Sequence, residues 1–156
     1  MSISRVPILF VYSGWLEKAK HELSLFKESY NVYDLTNCFL TLNALPEWIQ
    51  KSNQAPEALK ELATNKIDIM KTGSEMDENK LDDLDHQLRL IRLFSNQSKH
   101  GETKEKLGLI TLVSKGPLKF EFPVKCDHLC IGTEVVDIFN VLENVIEFWS
   151  REIKNA

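Results

Sequence analysis

Arg92, Asn96 and His100 recur at four-residue steps, the spacing that brings side chains onto one line of a helix. Together they offer what a phosphate ester needs. A guanidinium holds the anion, an amide orients a hydroxyl, and an imidazole moves a proton near neutral pH. Arg89 lies close to the same line, with Asp85 four residues ahead as an ion-pair partner. Lys99 adds a cation beside His100, and Lys104 and Lys106 follow; the three lysines and Arg89 are the expected nucleic-acid contacts. A plainer role is open too. Lys99 and His100 suit the negative end of a helix dipole, and Asn96 would then only solvate the last turn.

These side chains need a rigid carrier, and the stretch from Lys80 to Gly101 is expected to supply it as the central helix. Leu81, Leu84, Leu88 and Ile91 step three and four residues apart, the apolar stripe of a packed helix. Ser95 and Ser98 continue the stripe with side chains small enough for a neighbouring backbone to come close. Leu90, Leu93 and Phe94 widen it, so the helix should be covered on two sides. Asp82, Asp83 and Asp85 crowd its first turns and Gly101 offers a natural stop.

The other elements follow from the same periodicities. Residues 1–12 fit a helix or a short strand. Ser13 caps a helix running to about Ser29 through Leu16, Ala19, Leu23 and Phe26. Asp34 caps a second, with Leu35, Cys38, Phe39, Leu42, Leu45 and Ile49 facing inward and Pro46 kinking or interrupting it. Pro56 opens a third on Leu59, Leu62, Ala63, Ile67 and Met70, and a polar loop spans Thr72–Asn79. Leu107–Val113 and Leu118–Val124 read as strands around a Ser114–Pro117 turn, with a further extended piece at Cys126–Ile131.

Thr133 then caps the last helix. Its two apolar stripes are Val135, Phe139, Leu142, Ile146, Trp149 and Ile153, and Ile138, Val141, Val145 and Phe148. Two stripes mean deep burial or sharing with a partner chain. The expected architecture is mainly α. It is one domain over residues 1–156, a four- to five-helix bundle with a β-hairpin inserted before the C-terminal helix.

Composition narrows the function. The 156 residues carry a net charge of −4, which does not announce a nucleic-acid binder. The distribution is uneven, because residues 75–85 hold six acids against Lys80 while residues 99–125 hold six lysines and His100 against three glutamates. A local basic face of this kind would bind polyanions in a salt-dependent way. No apolar run approaches the roughly 20 residues that cross a bilayer, so no membrane contact is expected. Three cysteines, an odd number, point to a reducing cytoplasm.

Cys126, His128 and Cys130 would share one face of a strand, but the outer two would stand roughly 13 Å apart, too far for one zinc ion. His86 beside Asp82, Asp83 and Asp85 is explained equally well by an acidic first turn. No glycine-rich phosphate loop and no nucleophile elbow is present, so neither metal nor cofactor is expected. Trp15, Trp48 and Trp149 read as core.

The run Arg92-Leu-Phe-Ser-Asn96-Gln-Ser-Lys99-His100 resembles the HEPN superfamily, helical-bundle domains of many prokaryotic toxin, defence and RNA-processing proteins. That family carries an Arg, four to six residues, then a His near a helix end, often with Asn, Asp or His directly after the Arg. The chain is also similar to bacterial proteins with Asn-x-x-Lys-His ahead of a β-hairpin and a last helix ending in Phe-Trp, here Phe148-Trp149. The resemblance implies metal-independent RNA cleavage at a site built by a homodimer. By that analogy His100 is the base or acid at a ribose 2′-hydroxyl, Arg92 or Lys99 stabilises the phosphate charge, and Asn96 orients the substrate.

One departure divides the expectations. If Asn96 and His100 take the family's polar and His positions, the Arg position is Ser95, and seven residues separate Arg92 from His100. The chain is then either an endoribonuclease with a degenerate motif, contacting RNA or a nucleotide, or a non-catalytic dimerisation and protein-interaction module of a defence or toxin–antitoxin system. The second would dock its partner through the doubly apolar last helix.

Overall fold

The computed structural model describes residues 3, 11–72, 80, 82–100, 111–113, 125–131 and 134–156, without the side chains of residues 100, 111–113, 131 and 134. In chain order these form α1 (Tyr12–Ser29), α2 (Val32–Lys51), α3 (Glu57–Lys71), α4 (Leu84–His100), β1 (Thr111–Val113), β2 (His128–Ile131), β3 (Glu134–Asp137) and α5 (Ile138–Asn155). The fold is mainly helical, with an antiparallel hairpin ahead of the last helix. Among the described residues no helix is long and apolar enough to cross a membrane.

Leu16, Ala19, Leu23 and Phe26 of α1 are all buried, as their spacing requires. The helix starts at Tyr12, ahead of Ser13, and its first turn is closed by Gly14 N–H on the Val11 carbonyl at 2.8 Å. Ser13 therefore lies inside the helix and caps nothing. At the other end Tyr30 takes a left-handed conformation, φ 55° and ψ 13°, which reverses the chain within two residues. That conformation is uphill for a residue with a Cβ. Tyr30 is held there by its N–H on the Phe26 carbonyl, by its carbonyl accepting from Cys126 N–H, and by its ring against Phe26 and Phe139.

Asn31, not Asp34, caps α2: its side-chain oxygen accepts from Asp34 N–H at 2.9 Å. The tight left-handed turn puts Asn31 at the helix entrance and Asp34 one turn inside, where its carboxylate accepts from the Ser29 hydroxyl instead. α2 runs unbroken through Pro46 to Lys51. Leu42, Leu45 and Ile49 are fully buried on either side of the proline, and their packing holds the helix across the missing backbone donor. Pro56 stands at the N-cap of α3, one position ahead of the helix.

α4 begins at Leu84, later than the apolar stripe alone predicts, because Asp83 is its cap. The Asp83 carboxylate accepts from His86 N–H at 3.3 Å and its carbonyl from Gln87 N–H at 3.0 Å. Asp82 receives the Asn140 amide at 3.0 Å, tying the start of α4 to the start of α5. Gly101, the expected stop, lies outside the described residues.

α5 also starts late. Residues 134–137, expected as its first turn, instead form β3, paired antiparallel with β2 so that Leu129 faces Val136 and His128 faces Asp137. Leu129 and Val136 are buried. That sheet pairing outweighs the helical spacing of Val135, which is left 51 % exposed. The hairpin before the last helix is thus β2–β3, with β1 adding a third antiparallel strand through Thr111 opposite Cys130. The expected partner strand Leu118–Val124 lies outside the described residues, as do residues 107–110. Asp137 caps α5, its carboxylate accepting from Phe139 N–H at 2.9 Å.

Ile138, Val141, Leu142, Val145, Ile146, Phe148 and Trp149 are all buried, so one apolar stripe of α5 is covered throughout and the other at Leu142, Ile146 and Trp149, with Phe139 and Ile153 half-buried. The core they complete includes Phe26, Leu35, Phe39, Leu42, Leu88 and Ile91, each fully buried. α1 and α2 run antiparallel, with Trp15 against Trp48 at one end and Ser29 against Asp34 at the other. Lys66 meets Asp85 and Ile69 meets Arg89 across the α3–α4 pair.

Where α4 crosses α2, Ser95 is fully buried and its hydroxyl donates to the Phe39 carbonyl at 3.2 Å. A serine on the buried stripe lets the two backbones approach this closely. Ser95→Ala, which keeps the small volume and loses one hydrogen bond, should lower stability by about 0.5–1.5 kcal/mol. Ser95→Leu must push the helices apart and should lower it by about 1–3 kcal/mol. Urea unfolding of the two variants checks the order, and a Leu variant as stable as wild type would contradict this contact.

Candidate functional site

Among the described residues, α2, α3 and α5 cover α4 and leave one of its sides open. His86, Gln87, Leu88, Leu90, Ile91, Leu93, Phe94 and Ser95 are buried, and Phe94 packs on Phe39 with ring centroids 4.4 Å apart. At 100° per residue, Asp85, Arg89, Arg92, Asn96 and Lys99 all fall within an arc of about 80° opposite that packing. The fold therefore brings Arg92, Asn96 and Lys99 onto one outward strip, Arg92 and Asn96 half-buried and Lys99 exposed. His100 closes the helix; its side chain, and Lys104 and Lys106, lie outside the described residues.

The first turns of the strip are committed to the fold. Asp85 does not pair with Arg89, because Lys66 of α3 reaches it at 2.9 Å. Arg89 turns back instead and closes the end of α3. Its Nε donates to the Ile69 carbonyl at 3.1 Å and the Thr72 carbonyl at 2.8 Å. A cation on the last carbonyls of a helix satisfies unpaired acceptors and opposes the dipole. Its Nη1 donates to His86 Nδ1 at 2.7 Å. Since a guanidinium only donates, His86 carries its proton on Nε2, which is buried and without a partner among the described residues. Two nitrogens of Arg89 thus serve protein acceptors rather than a ligand.

Arg92, one turn further on, is different. Its Nε is buried and has no hydrogen-bond partner among the described residues. A buried donor left unpaired costs about 1–3 kcal/mol, more when charged, and an anion with oxygen acceptors removes that cost. Ser95, which takes the Arg position when Asn96 and His100 are set on the family pattern, points into the α2 contact. A guanidinium there would be buried; Arg89 and Arg92 both share a face with Asn96, and Arg92 is the one a single turn from it.

Two features escape sequence reasoning. Glu22, four residues after Lys18 on what reads as the polar side of α1, is buried. It accepts from Lys18 Nζ at 2.8 Å and from the Thr41 hydroxyl of α2. The Lys-Glu spacing was visible, but the partner on another helix was not. Trp48, expected in the core, is 38 % exposed and packs on Trp15 with centroids 4.9 Å apart.

The Cys126–Cys130 segment is not a one-faced strand. Cys126 precedes β2 and is buried, whereas His128 and Cys130 are partly exposed, and His128 Nδ1 lies 2.6 Å from the Asp127 carboxylate. Among the described residues no three His, Cys, Asp or Glu side chains gather as metal ligands. Comparison with known proteins finds no matching family model, no matching curated protein and no matching solved structure.

Burial pushes the Cys38 and Cys126 thiols up to about 12, with Glu22 adding to the effect on Cys38 and Asp127 on Cys126. Nucleophilic thiolate is scarce at such sites. A disulfide reagent at mild alkaline pH should label Cys130 first and reach the other two only on unfolding; mass spectrometry of the labelled peptides checks this. The same shifts fix the sign of the alkaline response. Against an ordinary thiol value of 9.0, stability is intact below pH 9 and declines as pH rises from there toward 12.

Proposed function

We propose that this chain is a HEPN-like helical domain that contacts RNA or a nucleotide through the C-terminal half of α4. The observation that carries the reading is the buried Nε of Arg92, without a partner among the described residues, on the strip that also holds Asn96 and Lys99. Arg92 takes non-bridging phosphate oxygens, Lys99 adds long-range attraction, and Asn96 orients the ribose. His100 takes the proton of the 2′-hydroxyl as its oxygen attacks the adjacent phosphorus; the bond from phosphorus to the 5′-oxygen breaks, leaving a 2′,3′-cyclic phosphate, and the departing 5′-oxygen takes a proton from solvent. Homodimerisation that sets two α4 helices around one strand belongs to the same proposal, as do Lys104 and Lys106 as flanking cations and the charge of Arg89 at longer range.

A second reading, RNA contact without cleavage, is favoured by the burial of Ser95 where the family pattern places its Arg. Docking of a protein partner through α5 has less surface to use, since Ile138, Val141, Leu142, Val145, Ile146, Phe148 and Trp149 are buried within this chain while Phe139 and Ile153 stay half-buried.

Binding and cleavage of a labelled single-stranded RNA in EDTA separate these readings. Arg92→Gln and Lys99→Gln should each weaken binding at low salt and reduce the slope of log affinity against log salt by about one. His100→Ala should keep the affinity and abolish cleavage. Equal cleavage by wild type and His100→Ala, or none by either, removes the nuclease step and leaves the binding reading; absence of salt-dependent binding removes both.

A further inference from the structure

We infer that the depression at the C-terminal end of α2 is a nucleobase subsite built on the exposed part of Trp48. A cavity of about 530 Å³ opens there, lined by Glu47, Trp48, Lys51, Ser52, Asn53 and Gln54. That volume falls within the range of small-molecule sites. The indole is braced from behind: Trp15 packs on it with centroids 4.9 Å apart, and Lys18 Nζ lies 5.6 Å from the Trp15 ring. A fixed, partly exposed indole is a stacking surface for a flat heteroaromatic ring.

The rest of the lining selects among flat rings. Asn53 and Gln54 each present an amide donor and an amide acceptor, the edge chemistry that pairs with a base. The Ser52 hydroxyl is fixed by accepting from Gln54 N–H at 3.1 Å, which shapes the turn carrying both amides. Glu47 and Lys51 offset each other in charge, so the pocket suits a neutral ring rather than a bare anion.

The subsite stands apart from the α4 strip. Trp48 lies nine residues past Phe39, half a turn around α2 from the contact with α4, and packs on Trp15 of α1. Nucleoside binding there is therefore independent of Arg92 and Lys99.

The test uses the whole chain and probes that carry a base without a phosphate. Adenosine and uridine, their 5′-monophosphates, a short single-stranded RNA and glucose are titrated by calorimetry into wild type, Trp48→Ala and Arg92→Gln. Nucleosides should saturate wild type, lose about 5- to 150-fold in affinity in Trp48→Ala, and bind Arg92→Gln as they bind wild type. Circular dichroism confirms folding; if Trp48→Ala is unfolded, Trp48→Phe and Asn53→Ala replace it, with the first retaining and the second losing affinity. Trp48-dependent nucleoside binding in a chain that ignores RNA would uphold the subsite while removing the α4 reading. No saturable nucleoside binding, binding indifferent to Trp48, or equal binding of glucose overturns it.

Discussion

The contact between the Ser95 hydroxyl and the Phe39 carbonyl sets the rotation of α4 about its own axis. Only a small residue fits where the two backbones come this close, and the aromatic pair Phe39–Phe94 locks the helix from the adjoining position. With Ser95 facing inward, the helical repeat sets Arg92 about 60° and Asn96 about 100° around the helix from it, at the margin of the packed face, where both are half-buried. The chemistry of the strip is therefore a consequence of the packing beside it.

Polar groups at the helix ends do a second job, aligning the helices lengthwise. Lys66 with Asp85 and Arg89 with the Ile69 and Thr72 carbonyls hold the end of α3 against the start of α4. Lys18, Glu22 and Thr41 do the same between α1 and α2. Buried polar contacts of this kind add little net stability when complete and cost several kcal/mol when broken. They favour one alignment over slipped alternatives that an apolar interface alone would tolerate. Arg92 is the member of this set whose buried nitrogen has no such protein partner among the described residues.

Much of the helical layout was legible because it rests on local periodicity. Leu16 through Phe26, Leu35 through Ile49, and Leu59 through Met70 all took the faces their spacing dictates. What was not legible depended on partners distant in sequence. Asp34 and Asn31 are both good caps, and the left-handed turn at Tyr30 decided between them. Val135 fits a helix, but pairing with Leu129 and Cys130 drew residues 134–137 into a sheet. Asp85 and Arg89 have ideal spacing for each other, yet α3 offered Lys66 to one and free carbonyls to the other. Within the candidate site the shared face of Arg92 and Asn96 could be read from spacing, whereas the difference between a committed Arg89 and an Arg92 whose Nε has no partner among the described residues could not.

The account comes down to one face of one helix, and nuclear magnetic resonance reads that face directly. Spectra recorded on ¹⁵N-labelled chain during titration with a short single-stranded RNA at low salt follow the Arg92 Nε–H, the Asn96 side-chain amide and the Lys99 backbone. These signals are expected to move together and first, with α5 and the sheet unchanged. Shifts centred on α5 or on β2–β3, with the Arg92 Nε–H unmoved at saturation, would contradict it.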